Sequence, residues 1–143
     1  MTPADVAATL LAYVRASGAL RAVAMLEEGT VDAYADGSVA FEPAGSPLAE
    51  PLEPGDAADL GVEVRALPPF RVREATGEVA APLGALEHVA QAVEAIARLL
   101  GGRSVVLVEY ETDDDTPFAL SAREGEGLVA VIGEDRYAIR AAS

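Results

Sequence analysis

Two helix-forming segments, each stopped by glycine and each followed by a run of short strands, limit this 143-residue chain to a small set of folds. In the first segment Thr2 is placed to cap, Pro3 suits the first helical position, and Asp5 stands three residues after the cap as in a capping box. Val6, Ala7, Leu10, Tyr13 and Val14 gather on one face at helical spacing. Gly18 fits the position after the last turn, where a left-handed backbone closes a helix. The second segment opens at Pro82, runs to about Leu100 and closes at Gly101-Gly102, with Leu86, Val89, Val93, Ile96, Ala97 and Leu100 on its core face.

Strand patterns follow both helices. Residues 20–27, 30–35 and 38–42 read as three strands, with turns at Glu28-Gly29 and Asp36-Gly37. Asp-Gly predicts a two-residue type I′ hairpin turn, because both central residues there need positive φ. Residues 105–112, 118–123, 128–132 and 136–140 read as a second run. In the first of these, Val105-Val106-Leu107-Val108 is apolar on both faces, whereas Phe118, Leu120 and Ala122 alternate with Ala119, Ser121 and Arg123.

Between the two runs lies a Pro-rich acidic loop at about 43–61. Pro43, Pro47, Pro51 and Pro54 each lack a backbone donor, which excludes helix and sheet interior, and Glu50, Glu53, Asp56 and Asp59 point to a solvated connector. Residues 62–67 and 70–74 read as extended, and Thr76-Gly77-Glu78 as a turn. Helices separated by strand runs predict one α+β domain over 1–143, two helices packed on mostly antiparallel meander sheets. Both halves repeat one plan: helix, glycine stop, strand, acidic turn, strand, glycine turn, strand.

Composition narrows the chemistry. The chain has no Cys, Lys, Asn or Trp, and all ten basic residues are Arg. Disulfides, thiolate nucleophiles, Schiff-base lysines and a phosphate-loop lysine are therefore excluded. The Ala- and Arg-rich, Lys-free usage fits a prokaryotic source with GC-rich coding. The formal net charge of −14 argues against nucleic acid and anionic membranes as partners, since both are bound through cations. No apolar run is long enough to span a bilayer, and residues 1–5 lack a basic leader region, so the expected location is cytoplasmic.

Few groups could carry catalysis. His88, the only histidine, lies opposite the core face of the second helix and reads as an exposed helical residue. Gly125-Glu126-Gly127-Leu128-Val129-Ala130 matches a dinucleotide fingerprint in letters, but a strand follows where a helix is required, and Glu126 would repel phosphate. Glu109, Glu111, Asp113, Asp114 and Asp115 form the densest acidic cluster. They are the candidates for a hard divalent cation, although Asp is equally at home in a hairpin turn. The back of the second helix, Ala85, His88, Ala92, Ala95 and Leu99, is small and uncharged, and is the candidate face for a homodimer. No cofactor is expected. The reading that follows is a non-enzymatic protein-interaction or scaffold module. The alternatives are an acidic inhibitor or immunity-type protein for a basic partner, and a metal-assisted enzyme built on the acidic cluster.

Overall fold

A computed structural model describes residues 1–64, 66, 71–73, 78–80, 83–101, 104–111, 118–123, 127–132 and 135–138. It shows an α+β fold. Helix α1 (Pro3–Ser17) is capped by Thr2, whose hydroxyl accepts the Asp5 N–H at 3.2 Å, and ends at Gly18 with φ 76°. Strands β1 (Arg21–Met25), β2 (Gly29–Tyr34), β3 (Val39–Pro43) and β4 (Glu50–Pro51) follow. Strands β5 (Arg71–Arg73) and β6 (Glu78–Ala80) pair as a separate two-stranded sheet. Helix α2 (Leu83–Leu100) then leads into β7 (Val105–Tyr110), β8 (Phe118–Arg123), β9 (Gly127–Ile132) and β10 (Asp135–Ala138).

Eight strands form one antiparallel sheet in the order β10-β9-β8-β7-β1-β2-β3-β4. Each half contributes its own meander, and β1 and β7 join them at the centre. The third residue of β1, Val23, faces the third residue of β7, Leu107. The first residue of each strand faces the fifth of the other, Arg21 with Glu109 and Val105 with Met25. A local two-fold axis therefore passes through the sheet between Val23 and Leu107, and the repeated plan legible in the sequence is a repeat of architecture. Helix α1 packs on β1, β2 and β3, α2 packs on β7, β8 and β9, and the two helices touch.

Strand alternation divides the sheet into two faces. Ala22, Ala24, Val31, Ala33, Val106, Val108, Leu120 and Ala122 are buried in one core with Leu10, Tyr13, Val14, Val89, Val93 and Ile96 of the helices. Val105 and Leu107 fall on the opposite face and are half-buried. The run 105–108 is thus apolar on both sides but buried in alternation, as one helix-covered face of the sheet requires.

Three local expectations are corrected. The β1–β2 turn is Glu27-Glu28, closed by the Leu26 N–H to Gly29 carbonyl bond (2.9 Å) and its reciprocal (3.3 Å), and Gly29 already lies in β2 at φ 146°. The Asp36-Gly37 hairpin is not a type I′ pair. Gly37 N–H donates to the Tyr34 carbonyl at 3.0 Å, which centres the turn on Ala35 and Asp36 and leaves Gly37 to follow at φ 92°. Asp36 Oδ1 accepts the backbone N–H (2.8 Å) and hydroxyl (2.6 Å) of Ser38, and the Ser38 hydroxyl bond, with the backbone bond, holds its carboxyl below the usual aspartate range.

The third correction concerns 43–61, which is a strap and not a free connector. After β4 pairs with β3, the chain crosses α1. Gly55 N–H donates to the Ala4 carbonyl (2.8 Å), Asp56 N–H to Asp5 Oδ1 (3.0 Å) and Ala58 N–H to Thr9 Oγ1 (3.0 Å). Leu52, Leu60, Val62 and Val64 pack against the main core. With the strap bonded at Thr9 and α2 also against it, α1 is buried beyond its sheet-facing stripe, with Ala8, Thr9 and Leu11 covered.

Candidate functional site

The chain's charge is unevenly placed. Between Arg21 and Arg65 there are ten carboxylates and no base. On the strap and its flanks, Glu42, Glu50, Glu53, Asp56, Asp59 and Glu63 are all exposed. Because the strap is bonded to α1, these carboxylates stand on fixed backbone. Asp5, which anchors it, is held below the usual aspartate range by the Asp56 N–H and then by the Thr2 hydroxyl.

A groove of about 320 Å³ lies beside this surface, lined by Met1, Val6, Leu26, Glu27, Glu28, Leu99, Leu100, Gly101 and Ser104. Three elements meet there: the start of α1, the β1–β2 turn and the end of α2. Gly101 stops α2 at φ 65° and its N–H returns to the Ala97 carbonyl at 3.0 Å. Val6 is fully buried at the base of the groove, Leu26 and Leu100 are half-buried, and Met1 and Leu99 are 55% and 44% exposed. Glu27 and Glu28 are exposed and bring two carboxylates to the same walls, and Ala44 N–H on the Glu28 carbonyl (2.9 Å) ties the turn to the start of the strap. The volume falls at the low end of ligand pockets.

On the helix-free face of the sheet, Arg21 organises a polar patch. Its Nε donates to Asp32 Oδ1 at 2.9 Å and its Nη2 meets the same oxygen. Its Nη1 lies 3.6 Å from Glu109 Oε1, and the guanidinium sits 5.5 Å from the centre of the Tyr34 ring. Burial works most strongly against the Arg21 charge, but the Asp32 bond and the charges of Asp32, Tyr34 and Glu109 together outweigh it, and the guanidinium is held more basic than usual. In the core, the Tyr13 and Tyr110 hydroxyls share a hydrogen bond.

The residues singled out from sequence are dispersed. Glu109 is beside Arg21, Glu111 is exposed past the end of β7, and Asp113, Asp114 and Asp115 lie outside the described residues. Among the described residues no three His, Asp or Glu side chains gather where a metal could be held. Ala92 and Ala95 are buried within the chain itself, so the covered arc of α2, which touches both the sheet and α1, is wider than the expected core face. They are not open to a second copy. Leu99 is exposed and lines the groove, and the side chains of Ala85 and His88 lie outside the described residues. The groove escaped sequence reading because its walls come from three distant segments. The ten-acid stretch was a signal available in the sequence. Among the described residues no helix is long and apolar enough to cross a membrane. No protein-family model, curated protein or solved structure matches the chain.

Proposed function

We propose that this chain is a non-enzymatic protein-interaction module whose partner is a basic protein, met through the acidic strap. The observation that supports the reading is the strap itself. Its carboxylates belong to a ten-acid stretch of sequence into which no Arg is interspersed, and three hydrogen bonds to α1 hold the backbone that carries them. A fixed array of like charges steers an oppositely charged partner and does so in a salt-dependent way. Preordering also lowers the entropy lost on binding. An inhibitor or immunity-type protein for a basic enzyme is one form such a module takes.

The test is calorimetric titration of the full chain with an arginine-rich peptide at several salt concentrations. Wild type is compared with Glu50→Gln/Glu53→Gln/Asp56→Asn on the strap and with Glu94→Gln/Glu109→Gln/Glu111→Gln as a charge-matched control. The strap variant should lose several-fold more affinity than the control. Equal losses would mean that net charge, and not the strap, governs the interaction.

A further inference from the structure

We infer that the groove between α1, the β1–β2 turn and the end of α2 receives one long cationic side chain, arginine or lysine, of a partner protein. The inference rests on the reading of the chain as a module for a basic partner, and adds to it a specific anchor.

The walls match that side chain along its length. Arginine and lysine carry an apolar stem and a charged head, and they bury the stem while the head keeps polar company. Here the side chains of Met1, Leu26, Leu99 and Leu100 supply a limited apolar surface, and Glu27 and Glu28 supply the carboxylates. A second source of negative potential is built in. The last carbonyls of an α-helix have no partner within the helix and carry the negative end of its dipole. Leu99 and Leu100, the end of α2, line the groove, followed by Gly101, whose own carbonyl accepts the Ser104 N–H at 3.2 Å. Arg98 precedes Leu99 but is not among the lining residues. An anionic guest would meet two carboxylates and a helix C-terminus, and a purely apolar guest would draw no affinity from Glu27 and Glu28. A cationic head satisfies both, and charge-assisted bonds to carboxylates are the stronger kind.

Position supports the same occupant. The Ala44 N–H bond to the Glu28 carbonyl joins this turn to the start of the strap, and Val6 of the groove follows Asp5, which anchors the strap. A basic segment drawn to the strap carboxylates is thereby delivered to the groove. Met1 and Leu99, both lining residues, are exposed and so available to contact the stem. A thioether side chain adapts to such contacts readily.

The experiment uses the full chain with its methyl groups labelled for NMR. It is titrated with two capped pentapeptides, acetyl-ALRLA-amide and its counterpart with neutral citrulline in place of arginine. The arginine peptide should shift the methyls of Met1, Leu26 and Leu99, and bind about tenfold more tightly than the citrulline peptide. Glu27→Gln/Glu28→Gln should erase that preference. Leu99→Arg, which supplies the groove with a guanidinium of its own, should weaken the arginine peptide with Glu27 and Glu28 intact. Equal affinity for the two peptides, or shifts confined to other methyls, would overturn the inference. The strap variant separates the two proposals. If arginine-rich peptides need the strap yet bind Glu27→Gln/Glu28→Gln as well as wild type, the groove assignment fails and the basic-partner reading stands. If they bind without salt dependence and without regard to the strap, the reading itself fails.

Discussion

Tyr13 of α1 and Tyr110 of β7 share a buried hydrogen bond between hydroxyls that stand 97 residues apart in the chain. Both rings are nearly inaccessible, at 1% and 4% exposure, and the Tyr110 ring also tilts against Phe118 with centroids 6.4 Å apart. The bond crosses the local two-fold axis, from the helix of one half to the central strand of the other. It is a polar tie in an otherwise apolar seam, and the fully buried Ser17 hydroxyl counteracts part of the rise in the pKa of both.

Removing one hydroxyl leaves the other with less than its full set of partners. Tyr13→Phe and Tyr110→Phe should each cost about 1–2 kcal/mol, and the double variant less than the sum of the two. Urea unfolding of the four proteins closes the cycle. Additive losses would show that the two hydroxyls do not depend on each other.

The same pair governs alkaline stability. Burial raises the Tyr13 hydroxyl well above the ordinary tyrosine value of 10.0 and pushes Tyr110 up to about 12. A group raised in the folded state favours folding fully below its unfolded value and loses that contribution as pH climbs toward the folded one. Stability should therefore fall from about pH 10 upward. In Tyr13→Phe/Tyr110→Phe the fall should be shallower, as read by Tm across an alkaline series.

Gly29 is fixed by space as well as by its φ of 146°. An added methyl group would strike the Glu42 carbonyl oxygen, and would come within 2.9 Å of the Phe41 ring and the Pro43 Cα. Gly45 also has positive φ but open space around it. Gly29→Ala should cost more than about 3 kcal/mol and Gly45→Ala about 1 kcal/mol, measured by thermal unfolding. Similar losses at both sites would mean that backbone strain, not collision, sets the cost.

The strap should lift when its ties are cut. Thr9→Val removes the acceptor for the Ala58 N–H, and Gly55→Ala drives a methyl group toward Asp5. Both should raise amide exchange at Asp56 and Ala58 by about tenfold or more and leave the sheet amides unchanged. Acid should do the same at Asp5. Its contribution is in place above the ordinary value of 3.8 and is lost as pH falls through its depressed folded value, so the Asp56 amide should lose protection only in that lower range.

Local signals in the sequence carried most of the architecture. The capping residues Thr2 and Asp5 and the stops Gly18 and Gly101 mark helix ends correctly, since these depend on neighbours in the chain. Strands β2, β3, β8 and β9 fall within a residue or two of their expected bounds for the same reason. What escaped depends on distance. Strand β4 is two residues long and exists because Glu50 and Pro51 reach β3. The strap docks through acceptors supplied by Ala4, Asp5 and Thr9, which no local pattern links to 55–58. The buried state of Ala92 and Ala95 comes from tertiary packing around α2, which a helical wheel drawn for one helix does not contain.

The axis between Val23 and Leu107 has a consequence for what the surface can become. Two separate identical chains paired about such an axis must present every feature twice, so a change that suits one end is imposed on the other. Joining both halves in one polypeptide removes that obligation. One half can then carry the acidic strap without the other having to repeat it, and a molecule with a symmetric frame can present two unlike ends.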